Sequence, residues 1–136
     1  MSFILDTCVI SELVAKRPNE EVVGWLRAQD DARLYLTVVT VGEIQRGIAK
    51  LVPSRRQEQL DRWLHEELIV RFRDNVLPLT VDVMLTWGKL TASGRTLPAI
   101  DSLIAALALH HNFALVTRNA KDFDGTAVKI VNPWNL

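Results

Sequence analysis

An α/β fold, a three-layer α/β/α sandwich around a mostly parallel central sheet, is predicted by three features of the 136-residue chain. Short apolar runs over residues 3–5, 34–39, 113–117 and 128–131 are too brief for helices and have the composition of buried strands. Between them lie longer stretches with helical spacing of apolar residues, and such alternation implies parallel strands covered on both faces. One of these helices, over 98–110, is apolar on nearly every side and carries a single charged residue, Asp101, on its first turn. A helix of that kind is buried, which puts its carboxylate at the edge of the core, facing a pocket.

The elements follow in order. Asp6-Thr7 ends the first strand and opens a helix with the stripe Ile10, Leu13, Val14, so Asp6 stands at a strand's carboxyl end; helix capping alone would account for it. Arg17-Pro18-Asn19 breaks that helix, and Asn19 or Glu20 starts a second with Val22, Val23 and Leu26 on one face. After the turn at Asp30-Asp31 comes the strand over 34–39, then a helix from Thr40 to Ile48. There Thr40-Val41-Gly42-Glu43 matches a capping box, which also leaves Glu43 on the first helical turn after a strand. Pro53-Ser54 starts a fourth helix buried through Leu60, Trp63, Leu64 and Leu68, and its arginines and acids read as a solvated face. Residues 76–79 form a short strand whose Pro78 confines it to an edge. Thr80 and Asp82 cap a fifth helix that ends near Ser93-Gly94, and His110-His111-Asn112 closes the sixth, the histidines favoured as cations at a helix C-terminus. The polar turn over 118–122 carries Asp122 just past a strand. Asp124, beside Gly125, is a weaker candidate in a turn of its own.

Length and composition set limits. The chain fits one domain, 1–136, with one sizeable core. Sixteen basic residues balance sixteen acidic ones, so any nucleic-acid binding must use a local patch. The lone Cys8 excludes an internal disulfide and a zinc site built mainly of cysteines, and it reads as a small buried hydrophobe. With no leader pattern and no membrane-length apolar run, a cytoplasmic location is expected.

Capping explains each acid separately but not why Asp6, Glu43, Asp101 and Asp122 should all fall at the carboxyl edge of one sheet, where α/β proteins bind ligands. Gathered there, four carboxylates repel unless a cation neutralises them. Oxygen donors alone favour Mg²⁺ or Mn²⁺ over zinc, and phosphodiester hydrolysis is the reaction such a site suits. Calcium binding or a purely structural role is the alternative.

The segments Phe3-Ile-Leu-Asp6-Thr7, Glu43 early in the third helix, Leu97-Pro98-Ala-Ile-Asp101 and Val116-Thr117-Arg-Asn119-Ala-Lys-Asp122-Phe123 together resemble the PIN-domain nucleases. The ending Ile130-Val-Asn132-Pro133-Trp134 is similar to the VapC and FitB branch of that family. The resemblance implies a PIN-like fold and a Mg²⁺- or Mn²⁺-dependent endoribonuclease, the toxin of a toxin–antitoxin pair. Asp6 and Asp101 would be the principal metal ligands, with Glu43 and Asp122 completing the site directly or through water. Thr7, Thr117 and Asn119 would orient ligands or water. It further implies an RNA substrate, a homodimer with no membrane association, and a short DNA-binding antitoxin whose helix lies in an apolar groove, expected around Ile10, Leu13, Trp25 and Leu26.

Other readings make different demands. A housekeeping PIN nuclease in RNA processing, or a module that holds RNA or a partner through the metal without cutting, would use the same four acids. A phosphotransfer receiver needs an early Asp pair, where this chain has one early acid. P-loop, HExxH and Ser-His-Asp signatures are absent.

Overall fold

The computed structural model describes residues 1–94 and 96–136. Strand β1 (Phe3–Leu5) leads to α1 (Thr7–Glu12) and α2 (Glu20–Arg27), and β2 (Leu34–Thr37) runs directly into α3 (Val38–Ala49). Helix α4 (Arg55–Trp63) continues through a wider π-type turn (Leu64–Leu68) into the short α5 (Ile69–Arg71). Then come β3 (Val76–Leu77), α6 (Val81–Thr91), α7 (Ala99–His111), β4 (Ala114–Val116), a 3₁₀ turn (Ala120–Phe123) and β5 (Ile130–Val131).

The five strands stand in the order β3-β2-β1-β4-β5, and every neighbouring pair is parallel. The expected parallel sheet is therefore present, and the strand preceding Pro78 is an edge strand as expected. Strand alternation builds the two cores. Leu5, Leu34, Leu36 and Val116 face one layer with Val9 and Ile10 of α1, Val22 and Leu26 of α2, and Ile48 of α3. Ile4 and Leu115 face the other, with Val83 of α6 and Ile104 to Ala108 of α7. Two helical layers thus enclose one sheet.

Helix α7 is as buried as its composition demands, from Ser102 and Ile104 through Ala108, and side chains such as Ile104 and Leu107 contribute about 1.5–3 kcal/mol each by leaving water. It is locked to α6 by the Trp87 indole, whose Nε1 donates to Ser102 Oγ at 2.9 Å, while that hydroxyl donates to Ala99 O at 2.6 Å. Asn112 ends the helix in the left-handed conformation (φ 55°), a role that asparagine tolerates well. His111 differs from expectation: burial, then the neighbouring His110, lowers its pKa. A neutral ring stacked on Phe113 (centroids 5.4 Å apart) replaces the expected cation at that position.

The connection order creates the crevice. From β1 the chain builds β2 and β3 on one side, then returns to the other side of β1 as β4. The chain leaving β1 and the chain leaving β4 therefore part company at their carboxyl ends, the topological switch point where open parallel sheets bind ligands.

Candidate active site

Asp6 leaves β1 at this switch point. It is the N-cap of α1 and almost fully buried, its Oδ1 accepting from Thr7 N at 2.8 Å. Capping thus holds, but it uses only one carboxylate oxygen. The other, Oδ2, accepts from Thr117 Oγ1 at 2.8 Å, a completely buried hydroxyl just beyond β4. The two strand ends at the switch point are joined through an acid and a threonine 111 positions apart. Thr117 Oγ1 also accepts from Asn119 N at 3.1 Å, so the same hydroxyl sets the course of the next turn.

Glu43 reaches the site differently from the expected capping box. Helix α3 starts three residues earlier than the pattern implied, capped by Thr37, whose Oγ1 accepts from Thr40 N at 3.1 Å. Glu43 therefore lies on the second turn, and its Oε1 accepts from Thr7 Oγ1 at 2.7 Å. Thr7 consequently anchors two acids, Asp6 through its backbone N–H and Glu43 through its hydroxyl.

Asp101, on the first turn of α7, is half-buried. Its carboxyl is raised from the ordinary 3.8 to about 6, first by burial and then by the charges of Asp6, Asp122 and Glu43. Asp6, Asp122 and Glu43, from three other parts of the chain, thus act electrostatically on Asp101. Asp122 comes from the exposed 3₁₀ turn after β4, where its backbone N–H donates to Asn119 O at 3.0 Å. Asp124 ends that turn before Gly125 (φ 79°), consistent with a turn residue.

Among the described residues, no group of three or more His, Cys, Asp and Glu side chains is drawn together closely enough to hold a metal ion as it stands. The donor chemistry nevertheless fits a hard divalent cation: all four groups are carboxylates, and among the described residues none of them is ion-paired with a lysine, arginine or histidine.

Cys8 lies beside this centre. Its Sγ accepts from Arg118 N at 3.5 Å and lies 3.7 Å from Thr117 Oγ1, and burial pushes the thiol's pKa up. It is a packed neutral group, in line with its expected structural role.

The apolar groove is not where the sequence put it. Leu26 is buried, Leu13 packs on the core, and Trp25 stands edge-to-face on Phe3 with centroids 5.1 Å apart. Of the four expected residues, Ile10 lines a groove among the described residues. That groove, about 210 Å³, lies between α1, α3 and α4, with Val14, Ile44, Leu51, Leu60 and Trp63 along it and Thr7 and Glu43 also on its wall. It therefore opens onto the acidic centre. Sequence reasoning also passed over a polar cleft of about 390 Å³ between residues 118–122 and the C-terminal turn at Asn132 and Asn135. Its signal was the pair of cations, Arg118 and Lys121, flanking an acid in one turn.

A family model described as PIN domain matches residues 3–129. The chain belongs to the PIN-domain family. This PIN-domain protein is 34% identical to the VapC ribonuclease Y4jK of Sinorhizobium fredii over 96% of each chain. It is 32% identical to the toxin FitB of Neisseria gonorrhoeae, over 97% of this chain and 98% of that one. Its fold superposes on the crystal structure of FitAcB from Neisseria gonorrhoeae with a TM-score of 0.92 at 32% identity, covering 98% of this chain and 99% of that one. No helix among the described residues is long and apolar enough to cross a membrane.

Proposed function

We propose that residues 1–136 form a single PIN-like nuclease domain, a Mg²⁺- or Mn²⁺-dependent endoribonuclease that serves as the toxin of a type II toxin–antitoxin pair in the cytoplasm. The observation that supports this reading is the charge coupling of Asp101 to Asp6, Asp122 and Glu43, in a family with relatives named ribonuclease and toxin. Asp6 and Asp101 would hold the metal, with Glu43 and Asp122 completing the site. When bound, the ion supplies positive charge to a phosphoryl oxygen and activates a water for attack.

The chain's own residues prepare that step. Asp6 is fixed by two donors, so it meets the cation without reorganising. Thr7 orients Glu43 toward the same point. Thr117, through Asn119 N, sets the path of the turn that brings in Asp122. Asp101 crowds against the other three acids, and a divalent charge relieves that crowding.

The antitoxin's place is the α1–α3–α4 groove. It is apolar along its length and open to the carboxylates beside Thr7 and Glu43, so a helix with one basic side chain at that end would occupy groove and acids together. A homodimer is supported by the outward apolar side chains Val81 and Leu85 of α6 and Ile100 of α7.

Purified protein freed of antitoxin should cleave RNA with Mg²⁺ or Mn²⁺ and stop in EDTA, and Asp101→Asn should abolish cleavage while keeping the fold. Cleavage that persists in EDTA, or none on total cellular RNA, would refute the nuclease reading. Sedimentation of the free chain as a monomer at micromolar concentration would refute the dimer.

A further inference from the structure

The acidic centre raises an electrostatic difficulty for an RNA substrate. Four carboxylates repel a polyanion, and the protein as a whole is neutral. Attraction must therefore come from cations placed beside the centre. The cleft between residues 118–122 and the C-terminal turn has that position. Asp122 and Asn119 line it, so whatever occupies it adjoins the acids. Arg118 and Lys121 line it too, both exposed and, among the described residues, neither in an ion pair.

Arg118 is held ready. Its guanidinium lies over the ring of Trp134, 5.4 Å from the centroid, while its backbone N–H is spent on Cys8 Sγ. Among the described residues the guanidinium makes no hydrogen bond, although Asp122 stands four positions along the same turn. Contact with the half-buried indole steadies the guanidinium while its N–H groups stay without a hydrogen-bond partner among the described residues, an arrangement that suits a phosphate. On the opposite wall Asn132 and Asn135 add amide groups that can both donate and accept. Asn132 Oδ1 is occupied by Trp134 N at 3.0 Å, which leaves its NH₂ as the available donor.

We propose that this cleft is a phosphate-binding subsite for single-stranded RNA, in which Arg118 and Lys121 hold the backbone next to the bond that is cut. The proposal rests on the nuclease reading for its substrate. Paired cations and amides beside the acids suit a strand whose sugar-phosphate chain continues out of the active site, and unpaired bases offer their edges to asparagines.

The test uses the full-length protein and a labelled single-stranded oligoribonucleotide. Arg118→Met keeps the apolar stem over Trp134 and removes the charge, as Lys121→Met does at an exposed position. Arg62→Met, on the outer face of α4, is a charge control. With Mn²⁺, each cleft variant should raise KM about tenfold, as loss of a charge-assisted phosphate contact does, with kcat within about twofold. The dependence of log KM on log salt should flatten by about 0.7 per residue removed, and the control should match wild type. Equilibrium binding of the same oligonucleotide in EDTA, followed by anisotropy, reads the cleft apart from cleavage. Binding that weakens and loses salt dependence in both variants, even if wild type cuts nothing, supports the cleft while the nuclease reading fails. Cleavage with wild-type KM, salt slope and binding in both variants overturns the cleft and leaves the nuclease reading standing. Absence of RNA binding by wild type also overturns the cleft. If Arg118→Met does not fold, Lys121→Met carries the same comparison.

Discussion

Replacing Asp101 by asparagine should make the metal-free protein more stable at neutral pH. Folding raises this carboxyl from 3.8 to about 6, through burial and through the charges of Asp6, Asp122 and Glu43. Between those two values the native state binds more protons than the unfolded chain, so stability falls as pH rises through the window, and the penalty is complete above it. About two pH units at about 1.4 kcal/mol each set a ceiling of about 3 kcal/mol. The side chain is only half-buried, and screening by water brings the expected effect to about 1 kcal/mol. Asparagine imitates the protonated acid and escapes the penalty. With an unfolding entropy of about 2.1 cal/mol/K per residue, a chain of this length should gain about 3–4 °C in Tm. Scanning calorimetry in EDTA at pH 7.5 and pH 4 is the measurement: the variant should lead wild type at the higher pH and lose most of that lead at the lower. Equal Tm values at pH 7.5, or a less stable variant there, would refute the claim that the other three acids act on Asp101.

Metal should reverse that ranking. At a Mn²⁺ concentration one hundred times its Kd, wild type should gain about 2.7 kcal/mol, and Asp6→Asn should lose most of this gain; a Tm that ignores Mn²⁺ would count against the site. Thr117→Val removes the donor to Asp6 and the acceptor for Asn119 N, so urea unfolding should show a loss of about 1–3 kcal/mol. Cleavage by the same variant should fall about 10–100-fold, while Thr117→Ser, which keeps the hydroxyl, retains most of both. Ser102→Ala leaves the Trp87 indole N–H without its partner in the α6–α7 interface, at a cost of about 1–3 kcal/mol, and urea midpoints matching wild type would show that water replaces that bond.

The parts of the fold that were legible were those a single segment decides for itself. Helix α7 announced its burial because no face of it is polar. Strand β3 announced its edge position through Pro78, and Asn112 marked the end of a helix by tolerating a left-handed backbone. What misled the reading was competition between neighbouring signals. Val38 and Val39 are β-branched and extend the strand pattern, which hid Thr37 as the cap and made Thr40 look like the start of α3. Moving the start by three residues takes Glu43 out of its supposed capping role and frees it for Thr7. The groove was misplaced for a different reason. The stripes on α1 and α2 were read correctly as apolar, but only the tertiary packing decides that Leu26 and Trp25 are consumed by the core while α3 and α4 supply the open walls. Asp6 and Asp122 were legible as acids because they lie just past strand ends, and Asp101 because it is the one charge on an apolar helix. Arg118 and Lys121 lay in the same turn and were passed over, since the second wall of their cleft comes from the C-terminal residues.

The two anchoring acids are prepared in opposite ways, and the contrast bears on how a charged site can exist in a stable fold. Asp6 is the more buried, yet it accepts from Thr7 N and Thr117 Oγ1, one from each strand end at the switch point, and from the Cys8 thiol at 4.0 Å. Its carboxylate oxygens are held in place by the fold, and removing a donor should cost both stability and function. Among the described residues Asp101 receives no such hydrogen bond, and its charge is resisted by its three neighbours. One acid therefore acts as a fixed post and the other as a group whose charged form the fold penalises and a cation would favour. In the proposed reaction this division ties metal binding to the acid that the fold resists most. In the proposed cleft beside Asp122, Trp134 holds Arg118 by its ring, so that guanidinium would stay available to a phosphate instead of neutralising the carboxylates.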